Sequence, residues 1–541
     1  MYDIIIKNGL IVDGTGGKPY HGYVCIKGET IARVVRYDSD CGAASSECSG
    51  SIPEAALVLD AGGHVISPGF IDIHTHSDYS HLSDPLRRSC VGSGLTLEVV
   101  GNCGKSAIPV ADPTTEHLYA ISNLISSTVS RADFHAYDVE SFGENIAEKG
   151  SAVNVATLIG HGNLRNMISG MEMRQLTPEE LDRMCELCGR MLDQGALGVS
   201  LGLIYVPGNF CNTDELMALA RVVASRGKVI CVHMRNENDH VFEAVDEVIN
   251  ISRETGCRME ISHFKLMGRR QWGKARELLA RIDRAKAQGA RITCDQYPYT
   301  FSMSGIAACF PTWAQDGGHP ALAARAADDE TWEKMLPEAM RIIDSRGGIE
   351  NITICNTGRV NYPEMIGKTW PELAAEQGLP VMDALRAAVI KCNGTMMCFY
   401  KNMSDEDVLT IMSRPDVSVI SDGTGFNVDR YTGAPHPRNI GTFPRFLRLA
   451  REHDLMPIET AVAKMTSLPA SVMKLDDRFG FLREGYAASI TVFDKDTVSD
   501  HASMKDGTLA SEGIDLVLVN GRVVFDHGTH TGDLPGRLIV R

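Results

Sequence analysis

No run of lysine and arginine occurs in this chain. Its 53 basic residues are outnumbered by 69 acidic ones, for a formal net charge of −16. Gripping nucleic acid or an anionic bilayer takes a concentrated positive face, so neither partner is expected. No apolar run is long enough to span a bilayer. The opening stretch, MYDIIIKNGLIVDGTG, lacks a basic region followed by a long apolar core, and no secretory leader is expected. A disulfide framework is missing as well: the 15 cysteines are odd in number and irregularly spaced. Free thiols in a reducing cytoplasm are the expectation. Tandem repeats and low-complexity segments are absent, and no glycine-rich phosphate turn follows an early strand.

What is present is a long, ordinary globular composition. At 541 residues the chain exceeds what one hydrophobic core serves, so a large domain and a smaller one are expected. Both ends read as short strands closed by turns: DIIIKNGLIVDG and GYVCIKGETIARVV at the start, ASITVFDKD and DLVLVNGRVVFDHG at the end. Asn520-Gly521 is a strong hairpin signal. Residues 1–66 and 476–541 are therefore expected to build one small β domain together, with 67–475 as the main body.

In that body, buried strand-like runs alternate with amphipathic helical stretches. The runs are LTLEVVGNC, NVATLIGHG, GALGVSLGL, KVICVHM, RMEISHF, ARITCDQYP, ITICNTG and VSVISDG, preceded by IDIHTH. One helix announces its start with Thr177-Pro178-Glu179-Glu180, an N-cap, a proline at the first position and acids in the first turn. The alternation predicts a (β/α)₈ barrel, with an insertion of helical composition around residues 310–350.

The strand ends carry the chemistry. His74 and His76, Cys103, His161, His233, His263 and Asp422 each stand at or just past an apolar run. One strand-end histidine is most often a hydrogen-bonded structural residue, and one cysteine a small buried side chain. The set together, at strand ends that a barrel gathers at one mouth, favours a metal site built from imidazole, thiolate and carboxylate. Two weaker motifs read as structural: Cys185 and Cys188 lie unpartnered in a helix, and Ser200 of GVSLG reads as a packed residue beneath the site.

These residues sit in motifs that resemble the amidohydrolase superfamily, and within it the N-acyl-D-amino-acid deacylases, or D-aminoacylases. The motifs are PGFIDIHTHSD, VVGNCG, IGHGNLR, GALGVSLGLIYVPG, VHMRNE, ISHFK, DQYPYT, SDG, HPRNIGTFPR and MTSLPASVMKL. The resemblance covers nearly the whole chain. It implies a (β/α)₈ barrel joined to a β-sandwich made by both termini. It implies zinc, tightly held by Cys103, His233 and His263, with His74, His76 and Asp422 lining an adjoining, weaker position. Cys103 matches a cysteine that marks this branch, where other relatives use a carboxylated lysine. Tyr205, Lys265, Tyr297 and Arg438 match residues that hold the substrate. The sequence departs from the family at Ile440 of HPRNIG, at Ala488-Ser489 and at Lys105 after GNCG, and the Asp422–His436 segment is long.

The implied reaction is hydrolysis of an N-acyl-D-amino acid, a small-molecule substrate, with Asp422 as general base. Rival readings are a cyclic-amide hydrolase of the dihydroorotase or hydantoinase kind, a deaminase, and a non-catalytic metal-binding protein. The cyclic-amide hydrolase wants a lysine at a middle strand end, and Lys105, Lys149 and Lys228 are poorly placed for it. The sequence leaves open whether the chain is a monomer or a homo-oligomer.

Overall fold

The computed structural model of the chain describes residues 1–37, 52–110, 134, 136–358, 360, 362–428, 431 and 433–541. At the start lie β1 (Tyr2–Ile11), β2 (Tyr20–Lys27), β3 (Thr30–Arg36), β4 (Ala55–Asp60) and β5 (Val65–Pro68). The parallel barrel follows with β6 (Phe70–Asp72), β7 (Leu95–Val100), β8 (Asn154–Gly160), β9 (Gly198–Gly202), β10 (Val229–His233), β11 (Arg258–Ile261) and β12 (Ile292–Gln296). The chain then leaves the barrel for an antiparallel sheet of β13 (Phe301–Gly305), β14 (Ile352–Asn356) and β15 (Met397–Lys401), and returns as β16 (Val417–Val419). β17 (Ile490–Phe493), β18 (Ile514–Val519), β19 (Arg522–Asp526) and β20 (Thr529–His530) end it.

The two ends share one nine-stranded sheet, because β17 pairs with β5 and β5 with β1. Its apolar side chains face one another in a common core: Ile4, Ile6, Val24 and Ile66 meet Ile490, Val492, Leu516 and Leu518. The Asn520-Gly521 hairpin joins β18 to β19 with both residues at positive φ, 48° and 75°, as the primed turn requires.

Barrel strands run β6 to β12 in chain order and then β16. β7, β8, β9 and β10 are buried at every position, as parallel strands covered on both faces must be. The helix Pro178–Asp193 begins where its sequence indicates. Thr177 Oγ1 accepts from Glu180 N at 3.2 Å, and Glu180 Oε2 from Thr177 N at 2.9 Å. The seam between β16 and β6 is completed by loop backbone. Asp422 N donates to His74 O at 2.9 Å, and His76 N to Gly423 O at 2.7 Å.

One strand-like run lies elsewhere than expected. ITICN is β14 of the inserted sheet and takes no part in the barrel. A short buried apolar run looks alike in either setting, and periodicity cannot separate them. The inserted body has its own core of Trp332, Met335, Trp370, Leu385 and Tyr400. Residues 310–350 lie within it. Its side chains Ser302, Met303, His319 and Arg346 line the cavity above the barrel mouth. No helix among the described residues is long and apolar enough to cross a membrane.

Candidate metal centre

The barrel delivers its polar residues through turns just past the strands. Cys103, His263 and Asp422 take positive φ, 53°, 38° and 50°. That left-handed conformation is costly for side chains with a Cβ and concentrates at functional sites. Each turn aims its side chain across the mouth. The glycines of GNCG make the first turn possible. Gly101 has φ 82°, and a Cβ there would lie 2.3 Å from Leu158 O. Gly104 has φ 74°, and its Cβ would meet Gly202 N at 2.6 Å.

Cys103 sits at the middle of the cluster. Its Sγ lies 3.3 Å from His74 Nε2, 3.5 Å from His233 Nδ1 and 3.3 Å from His263 Nε2. Asp422 Oδ1 is 3.5 Å from His74 Nε2 and 3.1 Å from His76 Nε2. Two sets of metal-competent atoms overlap at the sulfur: Cys103 with His233 and His263, and Cys103 with His74, His76 and Asp422. A thiol owns one proton and can satisfy one imidazole. A neutral imidazole turns either its N–H or its lone pair toward the sulfur, and a ring that turns the lone pair inward is ready to ligate a cation held there. Burial pushes His74 down to about 4, and His233 and His263 well below the ordinary histidine value, so these rings are neutral and able to ligate. Burial drives the Cys103 thiol up, and a bound cation is what would release its proton. Sulfur, nitrogen and carboxylate oxygen together are a zinc-type donor set, so the residues fit that metal.

Around this cluster stand charges that fix it. Burial raises the Asp422 carboxyl, but the guanidinium of Arg438 and then the hydrogen bond with His76 outweigh it and hold it well below the usual carboxylate range. Arg438 Nη1 is 2.9 Å from Asp422 Oδ2, yet neither Nη1 nor Nε makes an aligned hydrogen bond. Tyr297 lies beneath that guanidinium, 4.8 Å from ring centroid to Cζ, and its buried hydroxyl also lacks a partner. Lys265 Nζ is 2.6 Å from both Glu237 Oε1 and His263 Nδ1.

Glu237 was not anticipated from the sequence. Its carboxylate lies 3.0 Å from His263 Nδ1 and 3.6 Å from His233 Nε2, behind both rings. Carboxylates in that position orient metal-binding imidazoles, so an acid four residues after a ligand histidine was the available signal. Asp295 lies deeper, accepting from His263 N and standing 3.7 Å from His74 Nδ1. Burial lifts its carboxyl, and that of its neighbour Glu260, above the ordinary carboxylate range.

The other sequence-singled residues separate cleanly. Tyr205 lines the cavity, 3.5 Å from Ser304 Oγ, its ring edge-on to His233. Lys105 Nζ lies 4.5 Å over the Tyr205 ring. Ser200 donates to Gly101 O and accepts from Gly104 N, so it is a packed support and no nucleophile. His161 opens a helix and pairs with Glu215 at 2.6 Å, beside Arg165. Cys211 completes a metal-like grouping there, but the Arg165 cation already occupies Glu215. Lys228, whose Nζ donates to Ala196 O, precedes β10 at the barrel's opposite end.

Residues 57–525 match the amidohydrolase family, and the chain belongs to it. It is 36 % identical over 540 residues to an N-acyl-D-glutamate deacylase of Alcaligenes xylosoxydans xylosoxydans, covering 100 % of this chain and 96 % of that one. It is 34 % identical to an N-acyl-D-aspartate deacylase of the same organism, covering 99 % and 95 %. Among solved structures, an N-acyl-D-glutamate deacylase from Bordetella bronchiseptica superposes with a TM-score of 0.81 at 33 % identity, covering 100 % of both chains. That structure holds zinc and a phosphonate inhibitor that mimics the tetrahedral intermediate of its reaction.

Proposed function

We propose that this amidohydrolase cleaves the amide of N-acyl-D-amino acids, releasing a carboxylate and a free D-amino acid. One observation carries the reading: the metal-competent cluster shares its cavity with the unbonded donors of Arg438 and Tyr297. An N-acyl amino acid offers an amide to the first and an α-carboxylate to the second. The deacylase relatives, full-length at 34–36 % identity, support it.

Cys103, His233 and His263 would hold zinc tightly, and His74, His76 and Asp422 would line a second, weaker position. When bound, zinc supplies Lewis acidity: it acidifies water from about 16 toward about 7 and draws charge from the oxyanion. Asp422, kept ionised by Arg438, takes the proton of the attacking water and returns it to the departing nitrogen. Tyr205, which lines the same cavity, would add a donor to the oxyanion. Arg438 and Tyr297 grip the α-carboxylate, with Lys265 beside them. Holding the carboxylate and the acyl group fixes where each enantiomer's side chain must go, and room on one side only selects the D form. We take 67–475 as the catalytic barrel and 1–66 with 476–541 as the composite small domain. Every described cysteine is free, which supports a reducing, cytoplasmic setting.

Asp422→Asn tests the assignment. Turnover of an N-acetyl-D-amino acid is expected to fall by about 10²–10⁴, the span of a lost general base, while bound zinc is retained. Full activity in the variant would remove Asp422 from the mechanism. Inertness toward every N-acyl-D-amino acid, with hydrolysis of a hydantoin, would favour a cyclic-amide hydrolase instead.

A further inference from the structure

The cavity contains a cation that the reading above leaves unused. Arg346 follows the helix Asp329–Ser345 of the inserted body and is 7 % exposed. Its Nε is buried without a hydrogen-bond partner. Among the described residues nothing hydrogen-bonds to its terminal nitrogens either, and the residue lines the cavity. No acid among the described residues pairs with it, and its one ring contact is Tyr400, 5.9 Å from Cζ to centroid. A buried charge without a partner is expensive, and proteins rarely keep one idle.

The lining acids are already committed. Glu237 is taken by Lys265 at 2.6 Å, and Asp422 faces Arg438 at 2.9 Å. Asp78 accepts from Ala107 N at 3.0 Å. No lining acid is free for Arg346, so an anionic partner for it would come from the ligand. The α-carboxylate of an N-acyl-D-amino acid is assigned to Arg438 and Tyr297, so Arg346 calls for a second anionic group.

We infer that Arg346 is a specificity residue that binds a second carboxylate of the substrate, carried by either the D-residue side chain or the acyl chain. The inference rests on the deacylase reading and deepens it. A guanidinium presents a planar fork matched to a carboxylate, which a neutral isostere cannot use fully.

Two isosteric pairs distinguish the sources. N-acetyl-D-glutamate against N-acetyl-D-glutamine probes the side chain; N-succinyl-D-alanine against N-butyryl-D-alanine probes the acyl chain. The readout is kcat/KM on the zinc-loaded enzyme, or Kd by calorimetry for any compound not turned over. The native enzyme is expected to prefer the acid in one pair by about 10- to 100-fold, the worth of a charged hydrogen bond. Arg346→Met should abolish that preference and leave the neutral member within a few-fold. Arg346→Lys should keep part of it. Arg346→Gln, polar and neutral, repeats the test in a side chain better suited to the site if the methionine variant folds poorly. No preference in either pair, or one that survives in both neutral variants, overturns the inference. If no N-acyl-D-amino acid is hydrolysed the deacylase reading fails, and the Kd comparison still decides Arg346.

Discussion

Glu237→Gln probes the part of the site that holds the ligands in place. Glu237 and Lys265 are both 3 % exposed and 2.6 Å apart. Glutamine keeps the volume and one carbonyl acceptor but removes the charge. The Lys265 ammonium is then buried without its counter-ion. Breaking one side of a buried pair costs about 3–5 kcal/mol, and the retained acceptor places this variant near about 3 kcal/mol. A second effect falls on the metal, because the same carboxylate stands 3.0 Å from His263 Nδ1 and 3.6 Å from His233 Nε2. Loss of such a partner lowers metal affinity by about 10- to 100-fold, which is about 1.4–2.8 kcal/mol.

The two effects can be separated. Urea unfolding of zinc-stripped protein reads the first, and zinc competition with a chromophoric chelator reads the second. Glu237→Met combined with Lys265→Met replaces both charges by apolar side chains of similar length and should recover most of the stability, since such a replacement of a buried pair is nearly neutral. It should not recover zinc affinity. A single variant with an unchanged zinc Kd would refute the orienting role and leave Glu237 as a counter-ion for Lys265 alone. Unchanged stability and unchanged Kd would refute both.

Cys103→Ala removes the atom shared by both ligand sets, and the variant is expected to emerge from dialysis without zinc; elemental analysis showing native stoichiometry would overturn the ligand assignment. Lys464 governs a pH effect. It is fully buried, donates to Met412 O and Arg414 O, and burial pulls it down to about 7. Unfolded lysine titrates near about 10.4, so between these values the unfolded chain binds a proton that the folded chain does not, and stability rises with pH by up to about 3 kcal/mol between pH 7 and 9.5. Lys464→Met should flatten that rise in urea midpoints, and an unaltered slope would show that Lys464 is not its source.

Much of the site was legible because a barrel turns strand ends into neighbours. His74, His76, Cys103, His233, His263 and Asp422 are spread over 349 positions from first to last residue counted inclusively, and fold geometry alone brings their ligand atoms within 4.8 Å in two overlapping sets. The same rule put His161 at a strand end, yet it opens a helix and pairs with Glu215. Strand-end position is thus necessary and insufficient: the turn that follows decides where the side chain points. Glu237 escaped because it lies in the loop after β10, where no period marks it. Arg346 escaped for another reason. A basic residue at a helix C-terminus ordinarily answers the helix dipole in solvent, and only the packing of the inserted body over the mouth buries it.

Those turns also explain why the strand pattern could not reach the chemistry. A two-residue period places alternate side chains on opposite faces, which accounts for a packed barrel interior but aims nothing across its mouth. At Cys103, His263 and Asp422 the chain breaks the period with a left-handed residue. Each such residue costs roughly 1–2 kcal/mol, and nothing in the apolar packing of β7, β11 or β16 calls for it. The strain has a use only if the three side chains must face one another. Brought together they are a thiol, an imidazole and a carboxylate, groups that gain little from mutual contact in a buried place and much from a cation among them. Left-handed residues occur elsewhere in the chain as well, at Asn8, Arg87 and Asn393 among others, so the turns account for how the donors come to face one another, and the donor set and its distances carry the metal reading.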